Sequence, residues 1–317
     1  MKTTQHQITV FAPATIANLS CGFDVLGLAL EGVGDLMYLE RTETPGVQIR
    51  KVSGMDLPLE ADKNVAGVAA QALLAQSDYT GGVVMEITKR IKPGSGIGSS
   101  AASAAGAVWG LNQLLGSPFS PEQLVGFAME GERLASGTAH ADNVAPALYG
   151  GITLVRSTHP LDIARVHCPR DLHACILHPQ IELKTADARK VLKTHITLEQ
   201  GIRQWGNVGG LVAGLFTEDY GLISRSLEDG IIEPVRSLLI PGFDTLKQAA
   251  LEAGALGFGI SGSGPSVFAL CQGQDAATKV GSALRDTYAA MGIPYEVHLS
   301  PVAQQGVHEF PAKTSKS

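Results

Sequence analysis

Across residues 83–91 apolar side chains recur at every second position, with Val83, Met85 and Ile87 set against Glu86 and Thr88. A period of two predicts a half-buried strand. Residues 8–11 predict an earlier strand that runs into Ala12-Pro13-Ala14-Thr15. From 99 to 115 the period changes. Ala104, Val108, Leu111 and Leu115 recur at helical intervals and define one apolar face. Gly116 and Pro118 stop that helix. The next helix announces its own start: Ser120 serves as N-cap, Pro121 suits the first turn, and Gln123 completes a capping box. It is expected to end near Leu134. Residues 150–156 predict another strand, and a Gly-Ser loop at 259–266 leads into the apolar run 267–270.

The 317 residues exceed what one core usually spans, so two domains are expected, at about 150 residues each. The pattern breaks at His159-Pro160 and Cys168-Pro169. Proline restricts the residue before it and favours turns. The expected division is 1–165 and 166–317. Apolar residues make up 44% and charged residues 17%, which excludes a disordered chain. A net charge of −6 gives no global attraction to nucleic acid. No apolar stretch follows the polar N-terminus, and no window is long and apolar enough to span a bilayer. A cytoplasmic protein with no membrane partner is expected. The cysteines Cys21, Cys168, Cys175 and Cys271 form no metal or redox spacing and read as reduced, buried thiols. Residues 311–317 form a short polar tail, expected to fray.

The most informative stretch is Pro93-Gly94-Ser95-Gly96-Ile97-Gly98-Ser99-Ser100. It lies between a predicted strand and a predicted helix. Glycines let a backbone approach a ligand closely, and a helix start offers unpaired N–H groups. Together they can cradle phosphate. The loop lacks the Gly-Lys-Ser/Thr of a Walker A motif, and Ser99 stands where a dinucleotide fingerprint needs its third glycine. A plain glycine turn is the other reading of this stretch taken alone.

Three stretches in order resemble the GHMP kinases. They are the glycine loop, the segment Ala12-Pro13-Ala14-Thr15-Ile16-Ala17-Asn18-Leu19 with Gly22-Phe23-Asp24 behind it, and Gly259-Ile260-Ser261-Gly262-Ser263-Gly264-Pro265-Ser266. Further stretches are similar to the branch whose acceptor is L-homoserine: Gly137-x-x-His140-x-Asp142-Asn143, Thr185-x-x-Ala188-Arg189 and Glu233-Pro234-x-Arg236. Two positions depart from the pattern. Ser20-Cys21 replaces Gly-Pro beside the substrate segment, and Lys92 replaces a leucine beside the loop.

The resemblance implies an α+β fold in two domains, the first like domain 2 of ribosomal protein S5 and the second ferredoxin-like. It implies a homodimer that phosphorylates a small hydroxy-amino acid with ATP and Mg²⁺. ATP would meet Asn64 and the loop Pro93, Gly94, Ser95, Gly96, Ile97, Gly98, Ser99 and Ser100. Glu132 and Ser99 are the expected metal ligands. Helical spacing puts Glu132 on the core side with Val125 and Met129, where an unpaired carboxylate is costly; a structural ion pair is the alternative. The acceptor carboxylate would take Arg189 and Arg236, and its ammonium Asp24 and Asn18. His140, Asn143, Thr185 and Gly262 complete the substrate set. Asp24 is also the one candidate for receiving a proton. Lys92 either faces the phosphates or, as favoured here, solvent. Two rival functions remain from sequence: a related kinase for mevalonate-like or sugar alcohols, and a non-catalytic ligand-binding relative.

Overall fold

The computed structural model describes residues 5–138, 140–181, 183 and 185–311, without the side chains of Ser136 and residues 185–187. The chain runs β1 (Gln7–Ala17), β2 (Leu26–Thr42), β3 (Gly46–Ser53), α1 (Val65–Leu74), β4 (Gly82–Thr88), α2 (Ser99–Leu114), α3 (Pro121–Ser136), α4 (Val144–Tyr149), β5 (Ile152–Thr158) and β6 (Leu161–Val166). Then come β7 (Leu172–Pro179), α5 (Thr185–Lys190), α6 (Leu198–Thr217), α7 (Tyr220–Ser226), α8 (Glu233–Arg236) and α9 (Phe243–Glu252). The last elements are β8 (Gly257–Ile260), β9 (Val267–Gln272), α10 (Gly273–Ala289), β10 (Tyr295–Pro301) and β11 (His308–Glu309).

Two sheets organise these elements. The first has the order β11-β1-β2-β4-β3, with β5 joining β2 and β6 joining β5. All its pairings are antiparallel except β3 with β4. The second sheet, β10-β7-β9-β8, is antiparallel throughout. The long β2 serves two partners. Its start pairs β5 and its end pairs β4, so it ties the substrate segment to the strand before the glycine loop.

The alternating pattern of β4 appears as drawn from sequence, with Val83, Met85 and Ile87 buried. The strand ends at Thr88, short of the expected 91, and the backbone N–H groups of Arg90 and Ile91 donate to the Asp35 carboxylate instead of to a neighbouring strand. Helix α2 departs from the single apolar face expected. It is buried almost all round, a Ser/Ala/Gly helix lying between the sheet and its neighbours α1 and α3. A Cβ at Gly106 would sit 2.5 Å from Met37 Sδ, and one at Gly110 2.7 Å from Leu39 Cδ1. Small residues therefore set how closely α2 lies on β2. Phe243, Leu246, Val280, Leu284 and Tyr288 of α9 and α10 cover the second sheet.

The chain leaves the first sheet at Val166 and enters the second at Leu172. A simple split there is incomplete in two ways. Leu172, Ala174 and Ile176 of β7 belong to the first sheet's core. After β10 the chain returns: Val302 and Val307 enter that core, and β11 pairs with β1.

The capping box of α3 forms as its sequence requires. Ser120 Oγ accepts from Gln123 N at 3.3 Å, and Gln123 Oε1 accepts from Ser120 N at 2.9 Å. Ser120→Ala removes one half of this exchange and is expected to lower unfolding stability by about 1 kcal/mol. Urea titration should show that loss as a lower midpoint with an unchanged slope.

Candidate active site

Backbone hydrogen bonds join the three motif loops. Thr15 N donates to Ile97 O at 3.2 Å, Ser266 N to Ser95 O at 3.2 Å, and Gly262 N to Ala17 O at 3.4 Å. Side chains add to the joint. Ser261 Oγ donates to Gly96 O at 2.7 Å, and Asn18 Nδ2 to Gly262 O at 2.7 Å. Glycine is required where the loops touch. Gly96 has φ +86°, and a Cβ there would lie 2.7 Å from Gly264 O. Gly98, at φ +69°, would put its Cβ 2.0 Å from Thr15 Oγ1. Gly98 then hands the chain into α2.

The joined loops frame a cavity of about 760 Å³, a volume typical of small-molecule sites. At one end lie Asn64, Pro93, Gly94, Gly96, Gly98, Ser99 and Ser100. Asp24, His140, Arg189 and Arg236 line the cavity away from the loop, while Asn143 and Gly262 border the loop itself beside Gly98 and Gly96, and Asn18 lines it too. Glu132 lines the same wall. Of the loop residues expected to meet ATP, Ser95 and Ile97 do not line the cavity; both are buried beneath it. The side chain of Thr185 lies outside the described residues. Lys92 is exposed on the rim, and its Nζ donates to half-buried Gln180 Oε1 at 2.9 Å.

The first motif holds a strained turn. Asn18, Leu19 and Ser20 have φ of +75°, +42° and +59°, a left-handed run that costs L-residues about 1 kcal/mol or more each. Ser20 is where the family pattern has glycine, which would bear this conformation freely. The serine offsets part of the cost by donating from Oγ to buried Phe258 O at 3.2 Å. Asn18 braces the turn by accepting from Asp24 N at 3.0 Å.

At the acceptor end, Arg189 NH2 donates to both oxygens of Asp24, at 2.9 and 2.6 Å. Arg236 is buried and fixed by its own backbone contacts. Its Nε donates to Ala188 O at 3.0 Å and NH1 to Gly262 O at 3.1 Å. The Phe23 ring lies under both guanidinium groups, 5.6 Å from Arg189 and 5.0 Å from Arg236. Burial works against the charge of Arg236, and Asp24 is the main carboxylate that offsets it. His140 Nδ1 is 3.9 Å from Asp24 Oδ1. Burial holds its pKa down, Asp24 pulls the other way, and the two arginines add to the lowering.

At the phosphate end, burial pushes the Glu132 carboxyl up to about 7, while the Ser100 hydroxyl and the Lys89 charge oppose the shift. Ser99 Oγ donates to Ile91 O at 2.8 Å, which leaves its oxygen lone pairs as the available function. A carboxylate flanked by hydroxyl oxygens is a hard donor set of the kind Mg²⁺ takes while keeping several waters. Among the described residues no group of three or more acidic, His or Cys side chains forms a complete metal cage.

Three charged residues had no role in the sequence reading. Asp142 is buried, and its carboxyl is pushed up to about 7 by burial, then by Asp24 and Glu132. Its Oδ1 has no hydrogen-bond partner among the described residues. Lys89 and Asp35 form a fully buried ion pair under the glycine loop. Lys89 Nζ also donates to Ser99 O at 2.9 Å and Ser103 Oγ at 3.0 Å, while Asp35 Oδ1 accepts from Arg90 N at 2.7 Å and Ile91 N at 3.1 Å. Removing one partner of a buried pair strands the other, at a cost of about 3–5 kcal/mol. Lys89→Met should therefore lose stability on that scale in urea unfolding. Adding Asp35→Asn should recover part of it, because an amide oxygen still accepts the two backbone N–H groups.

Comparison with known proteins gives this geometry its context. Residues 64–151 match the family description "GHMP kinases N terminal domain" and residues 211–290 match "GHMP kinases C terminal". The chain is 45% identical over 310 residues to a homoserine kinase of Chlorobium phaeovibrioides, covering 93% of this chain and 97% of the relative. It is 40% identical over 297 residues to a homoserine kinase of Natronomonas pharaonis, covering 94% and 98%. The crystal structure of homoserine kinase from Cytophaga hutchinsonii superposes with a TM-score of 0.94 at 50% identity, over 98% of this chain and 99% of that one. L. major mevalonate kinase shares the fold alone, with a TM-score of 0.69 at 17% identity over 92% and 95%. A two-domain α+β chain with these relatives over nearly its whole length belongs to the GHMP kinase family, in the company of the homoserine kinases.

Proposed function

We propose that the protein transfers the γ-phosphoryl group of ATP to the side-chain oxygen of L-homoserine, giving O-phospho-L-homoserine for threonine biosynthesis. The observation that carries this reading is the continuity of one cavity, from the glycine loop at one end to Asp24, Arg189 and Arg236 at the other. Phosphoryl transfer asks the protein for alignment and charge neutralisation more than for covalent chemistry. The loop N–H groups and the start of α2 receive the phosphates. Glu132 and Ser99 are the residues that would hold Mg²⁺, and the ion would neutralise charge on the transferring group. Arg189 and Arg236 take the substrate carboxylate, and Asp24 takes its ammonium. His140 and Asn143 close the acceptor end around the hydroxyl. The protein incubated with Mg·ATP and L-homoserine should release ADP and O-phospho-L-homoserine. ADP formed with mevalonate or a sugar alcohol but not with L-homoserine would overturn the substrate assignment.

The metal reading carries a pH dependence. A carboxyl raised to about 7 holds its proton below that value and competes with a cation for the same oxygens. The apparent Mg²⁺ affinity should therefore rise as pH increases from about 6 to about 8 and level off once the carboxyl is ionised. Glu132→Gln should lower turnover severely and flatten that rise, with high Mg²⁺ giving partial rescue. The folded protein without metal shows the linked effect. A folded pKa above the unfolded value favours folding below about 4.5 and loses that contribution as pH climbs through about 7. Thermal melts in this window should show less decline for Glu132→Gln than for the native chain.

The acceptor reading fixes the outcome for Arg236. Charge-assisted bonds to a carboxylate are strong, and breaking a desolvated charge pair costs roughly 2–5 kcal/mol. Arg236→Ala is expected to lower kcat/KM for L-homoserine by about 10²–10³. Arg236 also supports Ala188 and Gly262, so the test is a ratio. Preference for L-homoserine over its carboxyl-free amino diol should shrink in the variant, whereas a purely structural role would slow both substrates alike.

A further inference from the structure

The groups read as the carboxylate site and the ammonium site are bonded to each other. Arg189 spans both oxygens of Asp24 at 2.6 and 2.9 Å. The two side chains are 38% and 35% exposed, neither sealed in the core nor free in solvent, and both line the cavity. Arg236 differs, since its guanidinium is tied to main-chain carbonyls and carries no bond to Asp24. The acceptor end therefore holds one fixed cation and one internal ion pair.

We propose that this pair is a charge-exchange lock, which opens only for a ligand that presents a carboxylate and an ammonium together. Such a zwitterion gives Arg189 a new carboxylate and Asp24 a new cation, so no charge is left without a partner. A ligand with one charge can satisfy one half alone. It must strand the other half in a partly desolvated cavity, or bind beside an intact pair that already occupies the donors it needs. Selectivity for a free amino acid thus comes from what must be broken as well as from what is made. Phe23 lies beneath both guanidinium groups and gives Arg189 a surface on which to slide between partners without losing its ring contact.

The exchange rests on the acceptor-site reading above and makes a prediction that simple additive subsites do not. If Asp24 merely bound ammonium, Asp24→Asn would help a carboxylate-only ligand through the lost negative charge alone, and equally with Arg189→Met in place. If Asp24 also holds Arg189 in check, the same variant releases Arg189, and the gain should depend on Arg189.

The experiment titrates L-homoserine, 4-hydroxybutanoate and L-homoserinol into the native chain, Asp24→Asn, Arg189→Met and the double variant, reading Kd by calorimetry. Asp24→Asn is expected to bind L-homoserine more weakly but 4-hydroxybutanoate about three- to tenfold more tightly than the native chain. Arg189→Met should show the mirror result, weaker for L-homoserine and tighter for L-homoserinol. The opposite directions within one variant exclude misfolding as the cause. Unchanged or weakened 4-hydroxybutanoate binding in Asp24→Asn overturns the lock, as does an equal gain when Asp24→Asn is added to Arg189→Met, or native binding of either single-charge analogue as tight as that of L-homoserine. Failure of L-homoserine to bind the native chain at all would instead overturn the acceptor reading itself.

Discussion

The buried pair of Lys89 and Asp35 holds the phosphate end of the site together. Asp35 comes from the middle of β2 and Lys89 from the residue after β4, so the pair closes the β2–β4 ladder just past its terminal pair, Leu36 with Thr88. Through its other bonds it sets the two residues after Lys89 and the first turn of α2. Ile91, held by Asp35, in turn accepts the Ser99 hydroxyl. Burial lowers the pKa of Lys89 and the Asp35 carboxylate opposes that shift, while oxygens of Asp35, Ser99 and Ser103 surround its Nζ. A pair of this kind adds little net stability. What it supplies is position, since the backbone entering the glycine loop has no other route through these bonds.

Much of the fold could be read from the chain, and the failures have physical causes. Strand β4 and the capped start of α3 depend on local rules, a period of two and a reciprocal side-chain exchange, and both appear where the residues put them. Helix α2 carried its true length but not its environment, because Ala, Ser and Gly are equally at home on a surface and in a tight interface. Lys89 was within reach. It falls on the same parity as Val83, Met85 and Ile87, and a charged residue on the buried face of a strand announces a partner. The partner Asp35 lies in a different strand, 54 positions away, and no local rule names it. The 20 residues of α6 were passed over because five glycines mask a helical pattern that tertiary packing sustains.

The candidate site was legible as a set of motifs, not as a set of contacts. Residue type alone suggested that Asp24 and Arg189 act on opposite charges, yet their bond to each other appears only in three dimensions. Asn18 was read as a substrate ligand; it lines the cavity, and its amide also spans from Gly262 to Asp24 and shapes the turn, a role no motif announces. Asp142 was quoted in a motif but given no role of its own, and with Asp24 and Glu132 it makes the cavity lining acidic at three points. Two arginines facing three carboxyl groups make a mixed-charge cavity rather than a uniformly basic pocket. Such a pocket would hold any anion, including the product.

The return of the chain after β10 bears on how the molecule is made. Gln5 Nε2 donates to Glu309 Oε1 across 304 positions, and Phe310 N donates to Thr9 O at 2.8 Å. The outer edge of β1 is therefore covered by a segment made only after β10. Until then the first sheet has an open edge, an unpaired row of backbone groups that any neighbouring strand could join. The nascent protein must carry that edge through the synthesis of both sheets and can close it only when β11 reaches β1.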